Sequence, residues 1–597
     1  MNRVHGGVHH TVSESDGRLL LTAVLSGDVV VARELTLRAL AQGIAPERIL
    51  QHDLVPAMDE AGVRFEAREF FLPELLSAAS AMKSALALLT PLLSTRDVPP
   101  VGTVVIGTVA GDLHDIGKNI VAAMLEGGGF AVHDLGYDVK PEDFARAAKE
   151  HDADIVAVSA LLTTSVPGMR NVAAALGREG LSNRVALLVG GAPLTDEIAR
   201  QMGAQGYAPT AAEAVRVARR LLASRFGEPV RVSTNGNGVQ AALERAPQVV
   251  DLSSMHRTRQ RRDSVTPRAL VKQALEFESP ERLPRQLWLL PWAEQRYPQA
   301  VARLARDFPG DIVPIPLFCS EPVPGQGNAH SVGVFVDSWG CKFHNLQDGI
   351  IGEVKEPQVK DWSDTGHVRF PRERLTIDIP HITAFCRKTE QYVLAGTCPR
   401  PFERLQFLRG TENLLLDLAR PPSALRDFLA RLHEFYVEEL SVWARTDVDG
   451  LAFMDDWGSQ QSLLISPERW REMFKPLYEE YVEIAHAHGK HAFMHSDGYI
   501  VDIIPDLIEI GVDALNSQVF CMGVEELGRR FGGELTFWGE LDRQHLLPHA
   551  GVSEIAEAAQ RLTAAFHRDG GFIAQCEFGP GARPENVYAF FAACEAW

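Results

Sequence analysis

Two parts of the chain carry short apolar runs separated by helical stretches, and this alternation is the strongest constraint on the fold. Runs at residues 103–107, 130–134, 154–159 and 185–190 read as parallel strands. Interleaved with helices, they predict an open, flavodoxin-like, doubly wound sheet. A second set follows at 286–290, 312–316, 392–396, 450–454, 491–494, 512–515, 535–538 and 572–575. Eight runs of this kind predict a (β/α)8 TIM barrel. Ahead of both, Ala, Leu, Val and Met recur at helical spacing from about residue 15, with breaks at Gly43-Ile-Ala-Pro46 and Phe70-Phe-Leu-Pro73. Proline suits the first turn of a helix, so four helices fit a small bundle. Phe65, Phe70, Phe71 and Met82 are its expected core. The whole is a multidomain α/β chain: a helical cap over 15–95, the sheet over 100–222, a linker over 223–265 and the barrel over 266–597. The linker holds Asn235-Gly-Asn-Gly238 and the basic run His256-Arg-Thr-Arg-Gln-Arg-Arg262, and is expected to be flexible and solvated.

Composition excludes several classes. A chain of 597 residues with 46% hydrophobic and 23% charged residues is an ordinary globular protein, of about two to four domains. A formal net charge of −19 argues against neutralising nucleic-acid phosphates. No uninterrupted apolar run approaches membrane length, and residues 1–16 lack a signal core. The expectation is a cytoplasmic protein without nucleic-acid or membrane partners. The seven cysteines all lie at Cys319 or later, odd in number and irregularly spaced, which is no disulfide framework.

The chemistry is expected in loops at strand ends. Gly111-Asp-Leu-His-Asp-Ile-Gly-Lys-Asn119 follows the first run, placing a histidine and two carboxylates where open α/β sheets bind ligands. Ser159-Ala-Leu-Leu-Thr-Thr-Ser165 and Gly190-Gly-Ala-Pro193 end two further strands. Their glycines allow close approach of a bulky ligand. No phosphate loop is present. In the barrel, Asp455-Asp456-Trp457, His495-Ser-Asp497, Asn516 with Gln518, Glu540 with Asp542, and Cys576-Glu577 follow successive strands. Barrel strands end on one face, so these clusters are expected to converge.

The helical segment followed by Asp112-x-His114-x-x-Gly117, Ser159-x-Leu161 and Gly190-Gly191 resembles the corrinoid-binding module of methionine synthase and of methylotrophic corrinoid proteins, over about residues 15–222. The resemblance implies base-off cobalamin, with His114 as the lower cobalt ligand, Asp112 on its other ring nitrogen and Ser165 completing the relay. Ser159, Thr163, Gly190 and Gly191 would line the nucleotide channel. A carboxylate on the far nitrogen fixes the tautomer and tunes the basicity of a ligating imidazole.

Residues 266–597 resemble the uroporphyrinogen decarboxylase superfamily, and within it the barrel methyltransferases that work with corrinoid proteins. The marks are Asp337-Ser-Trp-Gly-Cys341, Arg404-Leu-Gln-Phe-Leu-Arg409, Asp455-Asp-Trp-Gly458, His495-Ser-Asp-Gly498 and Pro584-Glu-Asn586. The methyltransferase branch often holds zinc through His-x-Cys and a distant cysteine. His495 and Cys576 match, while Asp497 stands where the middle cysteine is expected. A His495/Asp497/Cys576 set would be a harder zinc site, suited to an oxygen- or nitrogen-bound methyl donor. Asp455, Asp456 or Glu540 would position or protonate the leaving group.

The expected activity is corrinoid-dependent methyl transfer with a small-molecule methyl donor or a thiol acceptor. A second methyltransferase and a corrinoid reductive activase are the protein partners this leaves room for. The cap must move aside for the barrel to reach cobalt. The alternatives are porphyrinogen decarboxylation, disfavoured because residues 266–290 lack the family's arginine clamp, and a non-catalytic cobalamin sensor or storage protein.

Overall fold

The cap is built from α1 (Glu14–Leu25), α2 (Val29–Ala41), α3 (Pro46–Ile49), α4 (Val55–Glu66) and α5 (Leu72–Leu93). A single π turn, Leu50–Leu54, joins α3 to α4 into one continuous rod, so four rods form the bundle. Asp28 caps α2 by accepting from the Val31 amide, as short polar side chains do at helix starts. Helix α5 is long and apolar enough to cross a membrane by composition. Its apolar face is instead packed away, with Leu75, Ala78, Ala81, Met82, Ala85 and Leu89 all buried. The computed structural model describes residues 14–93, 100–224 and 265–595. The expected linker, its basic run and the first residues of the chain lie outside the described residues.

The sheet has strands β1 (Thr103–Thr108), β2 (Ala131–Asp134), β3 (Ile155–Ser159), β4 (Ala186–Gly190) and β5 (Gly206–Tyr207). Their order is β2-β1-β3-β4-β5, all parallel. Side chains alternate between two cores, as strand period demands. Val104 and Ile106 join the larger core, which includes the cap, while Val105 packs in the smaller one on the far face. The chain reverses direction of winding between β1 and β3, and a ligand crevice forms at such a switch point.

The barrel strands are β6 (Arg285–Leu289), β7 (Ile312–Pro314), β11 (Tyr392–Leu394), β12 (Gly450–Met454), β13 (His491–Ser496), β14 (Ala514–Ser517), β15 (Thr536–Trp538) and β16 (Phe572–Phe578). They run β6-β16-β15-β14-β13-β12-β11-β7, a nearly closed parallel barrel without a hydrogen-bonded β6–β7 seam. All eight expected runs are strands, shifted by a few residues at their ends. A three-stranded antiparallel sheet is inserted between β7 and β11: β8 (Gly333–Val336), β9 (Lys342–Asn345) and β10 (Glu353–Val354).

The family-marking motifs brace this frame. Asp337 accepts from the amides of Trp339 and Cys341 and pairs with Arg404 at 2.6 Å. Asn586 donates to the carbonyls of Leu547 and Ala550. Arg268, Arg282 and Arg285, the arginines of residues 266–290, pair with Asp449, Asp311 and Glu595. Asp311 and Asp449 precede β7 and β12, so these pairs sit at the end of the barrel away from the site.

Candidate functional site

The corrinoid-type loop is organised around one buried carboxylate. The His114 Nδ1 lies 2.7 Å from Asp112 Oδ1. Asp112 Oδ2 accepts from the amides of Leu161 (2.7 Å) and Leu162 (3.0 Å) and from the Ser165 hydroxyl (2.8 Å). Burial would raise the Asp112 carboxyl, but the His114 hydrogen bond and charge, with the two amides, bring it down to about 2. The Nδ1 proton is thereby held by Asp112, which leaves Nε2 as the ring position for a second partner, the arrangement of a metal-ligating imidazole. Burial lowers His114, yet its Asp112 and Glu353 partners outweigh that and raise it to about 9.

Thr108, Ser159 and Gly190 stand abreast at the ends of β1, β3 and β4. Gly191 has φ +141, and a Cβ there would lie 1.8 Å from the Ala160 carbonyl oxygen, so only glycine lets these two loops touch. Gly117 is exposed in the first turn of the helix Ile116–Gly127, with open space around it. Thr163, expected along the nucleotide channel, is turned to the barrel and lies 3.5 Å from the Pro580 carbonyl.

The barrel mouth shows why neighbouring residues take different parts. Phe493 faces the lumen core, and alternation along β13 brings His495 and Asp497 to the same side. His495 Nε2 lies 3.5 Å from Asp456 and 3.7 Å from Asp497. Its Nδ1 meets Asn516 Oδ1 at 2.5 Å. Burial lowers His495, but the charges of Asp497 and Asp456 carry it above its ordinary value. Trp288 forms a wall, its ring centroid 5.3 Å from that of His495. Arg543 pairs with Asp497, Glu540 and Glu577. Desolvation and the charges of Asp497 and Glu403 push Asp456 up to about 7. Burial, against the pull of Arg543, pushes Glu540 up to about 8.

Two expected site residues are turned away. On β12, Phe453 stacks on Tyr478 outside the barrel. Asp455 keeps that side: it accepts from the Phe402 and Glu403 amides and from the Tyr478 hydroxyl. It anchors the start of the helix Pro401–Arg409 and does not face substrate. On β16, Ile573 is in the lumen core, Gln575 accepts from Asn516 and Glu577 pairs with Arg543. Cys576 therefore points outward, fully buried beside Cys594 of the C-terminal helix, and cannot ligate with His495. The His495/Asp497/Cys576 set is corrected to Asp456, His495 and Asp497. Among the described residues, these three bring one ligand atom each within 4.8 Å of one another. They fit a cation, since the Asp497 Oδ1 is buried without a hydrogen-bond partner. Glu577, Asn516 and Arg543 also belong to this mouth. The alternation of β16 was the signal for Glu577.

The two sites face each other. Arg68 at the end of α4 donates to the Tyr499 hydroxyl at 3.0 Å and the Gln461 carbonyl at 2.8 Å. Thr164 meets Gln347 at 3.4 Å, and Asn119 meets Glu412 at 3.4 Å. Lys355 reaches Asp115 at 3.0 Å, and Glu353 lies 3.0 Å from His114 Nε2. The C-terminal ends of the sheet thus meet the mouth of the barrel, and the cap is packed to one side, α5 against the barrel helix Thr411–Ala419.

Fold and paired sites define a corrinoid-type module joined to a parallel (β/α)8 barrel. Residues 18–90 and 102–216 match the B12 binding domain, and residues 333–597 match uroporphyrinogen decarboxylase (URO-D). Dimethylamine corrinoid protein 3 of Methanosarcina acetivorans is 43% identical over 206 residues, 34% of this chain and 97% of that protein. Trimethylamine corrinoid protein 1 of the same organism is 39% identical, over 34% of this chain and 94% of its own length. Among solved structures, the methanol:cobalamin methyltransferase complex MtaBC of Methanosarcina barkeri shares 25% identity at a TM-score of 0.33, over 37% of this chain and 86% of that one. A methyltransferase from Methanosarcina mazei shares 16% identity at a TM-score of 0.42, over 56% of this chain and 99% of that one. The chain belongs to the corrinoid protein family in its first third, and that module is fused to a barrel similar to uroporphyrinogen decarboxylase over residues 333–597.

Proposed function

We propose that the chain is a corrinoid-dependent methyltransferase whose barrel exchanges a methyl group between a small molecule and the cobalamin of its own first module. The observation that carries this is the apposition of the His114 loop and the barrel mouth within one chain. Fusion raises the effective concentration of carrier at the barrel. The relatives named for dimethylamine and trimethylamine match through the corrinoid module. They make a nitrogen-bound methyl group the first donor class to test and an oxygen-bound one the second.

Cobalamin, when bound, supplies a cobalt centre that takes up or releases the methyl group. His114 would hold it from below through Nε2, with Asp112 keeping the proton on Nδ1 and Leu161, Leu162 and Ser165 keeping Asp112 in place. In the mouth, Asp456, His495 and Asp497 would hold a metal such as zinc, which supplies positive charge to the nitrogen or oxygen that carries the methyl. Asn516 orients His495. Arg543 holds the second oxygen of Asp497. Glu540, raised to about 8, is protonated at neutral pH and would give its proton to the leaving nitrogen or oxygen. Trp288 walls the pocket against water.

The test is to load the protein with reduced cobalamin and follow its absorbance while screening methylated amines, then methyl ethers and methanol. A donor-dependent change to the methylated spectrum, lost in Asp456→Ala and His495→Ala, is expected. No change with any donor, together with no demethylation of added methylcobalamin by thiols, would leave a cobalamin carrier without transferase activity.

A further inference from the structure

The inserted sheet places a barrel carboxylate on the one ring nitrogen that cobalt would need. Glu353 sits on β10, paired to β9 in the register Glu353↔His344 and Val354↔Phe343. Its Oε1 lies 3.0 Å from His114 Nε2. The Nδ1 of the same ring is already engaged by Asp112. The imidazole therefore has a single free position, and Glu353 fills it.

Glu353 is held there from behind. Lys355 Nζ lies 2.7 Å from Glu353 Oε2 and 3.0 Å from Asp115 Oδ1, and 4.5 Å over the Tyr137 ring. Lys355 is only 12% exposed. Asp115 and Tyr137 belong to the cobalamin module, so Lys355 fastens the hairpin to that module while it steers the carboxylate. The pairing spans 240 residues of chain, so no local motif accounts for it. Four side chains form one line across the module boundary: Asp115, Lys355, Glu353 and His114.

We propose that this hairpin is an internal latch on the corrinoid site. Glu353 occupies His114 Nε2 in the cofactor-free chain, and cobalamin must displace it to use the same atom. The proposal rests on His114 being the cobalt ligand. It goes further in making the barrel, not only the cobalamin module, a determinant of cofactor uptake. A site whose competent form is only fractionally populated binds with its affinity reduced by that fraction. A latch closed about nine-tenths of the time lowers apparent affinity about tenfold.

The experiment uses the full cofactor-free chain and aquacobalamin, with uptake followed by absorbance in a stopped-flow instrument. Glu353→Gln and Glu353→Ala are expected to raise the uptake rate and tighten the apparent Kd by about five- to tenfold, with Lys355→Ala in between. Once loaded, the Glu353→Gln protein is expected to show the wild-type cobalamin spectrum, because Glu353 has left the ring. In a His114→Ala background, Glu353→Ala is expected to add nothing. Unchanged uptake in both Glu353 variants overturns the latch, and so does an equal gain in the His114→Ala background. A wild-type cobalamin spectrum in His114→Ala alone instead overturns the ligand reading beneath it. The Gln variant keeps the size of the side chain and removes only the charge that pairs with His114 and Lys355, so loss of folding is not its expected outcome.

Discussion

Asn516 Oδ1 sits 2.5 Å from His495 Nδ1, and the amide nitrogen of Asn516 is committed to the Trp538 carbonyl and to Gln575 Oε1. Both of those partners only accept, so the Asn516 amide cannot flip, and its oxygen must take the proton from His495 Nδ1. The Nε2 of His495 is left to face Asp456 and Asp497. A residue abreast of His495 on the neighbouring strand thus decides which nitrogen of the histidine is available. Replacing Asn516 with Leu removes that constraint while keeping the volume. Metal affinity, measured by competition with a chromophoric chelator, is expected to fall about 10- to 100-fold, as it does when outer partners of metal-bound histidines are lost. Unchanged affinity in Asn516→Leu, with affinity lost in His495→Ala, would refute the orienting role.

Glu540 gives the barrel a pH signature. Its carboxyl is raised to about 8 by burial, against the pull of Arg543. An acid with that value is charged above pH 8 and can donate only below it. Methyl transfer from donor to cobalamin is therefore expected to be level at neutral pH and to decline above about pH 8. Glu540→Gln cannot donate. It should lower the rate by roughly two orders of magnitude, within the range for a lost general acid, and abolish the alkaline decline. A Glu540→Gln profile with the same alkaline limb would assign that limb elsewhere.

Asp455 and Asp456 are expected to separate stability from function. Asp455 accepts from Phe402, Glu403 and Tyr478 in the packed shell around the barrel. Asp455→Ala leaves buried donors without an acceptor and should cost about 2–4 kcal/mol in denaturant unfolding. Asp456 lies in the mouth, and Asp456→Ala should leave the unfolding midpoint nearly unchanged while metal binding is lost. The reverse pattern would mean that the strand is read with the wrong face inward.

Cys576 makes the same point for β16. It is fully buried on the outer side of its strand, and burial pushes its thiol well above the ordinary value. Cys576→Ser is expected to retain full metal content and to lose about 1–2 kcal/mol of stability, as for a buried polar group without a good partner. In the native protein the thiol should resist modification by a soluble disulfide reagent. Loss of metal in Cys576→Ser would restore it as a ligand.

What could be read from the residues was what the local chain dictates. Parallel strands buried on both faces must be continuous apolar runs, so all eight barrel strands and the main strands of the sheet were visible. The Asp112-x-His114 loop was visible because both partners of that hydrogen bond lie two residues apart. Two things were decided only by the tertiary structure. One was parity at the strand ends: a one-residue step reverses the face, which separates Asp455 from Asp456 and Cys576 from Glu577, and only the packed helices show which side is which. The other was the meeting of Glu353 and Lys355 with His114 and Asp115. Those contacts join segments far apart in the chain, and their pairing comes from how the two modules dock.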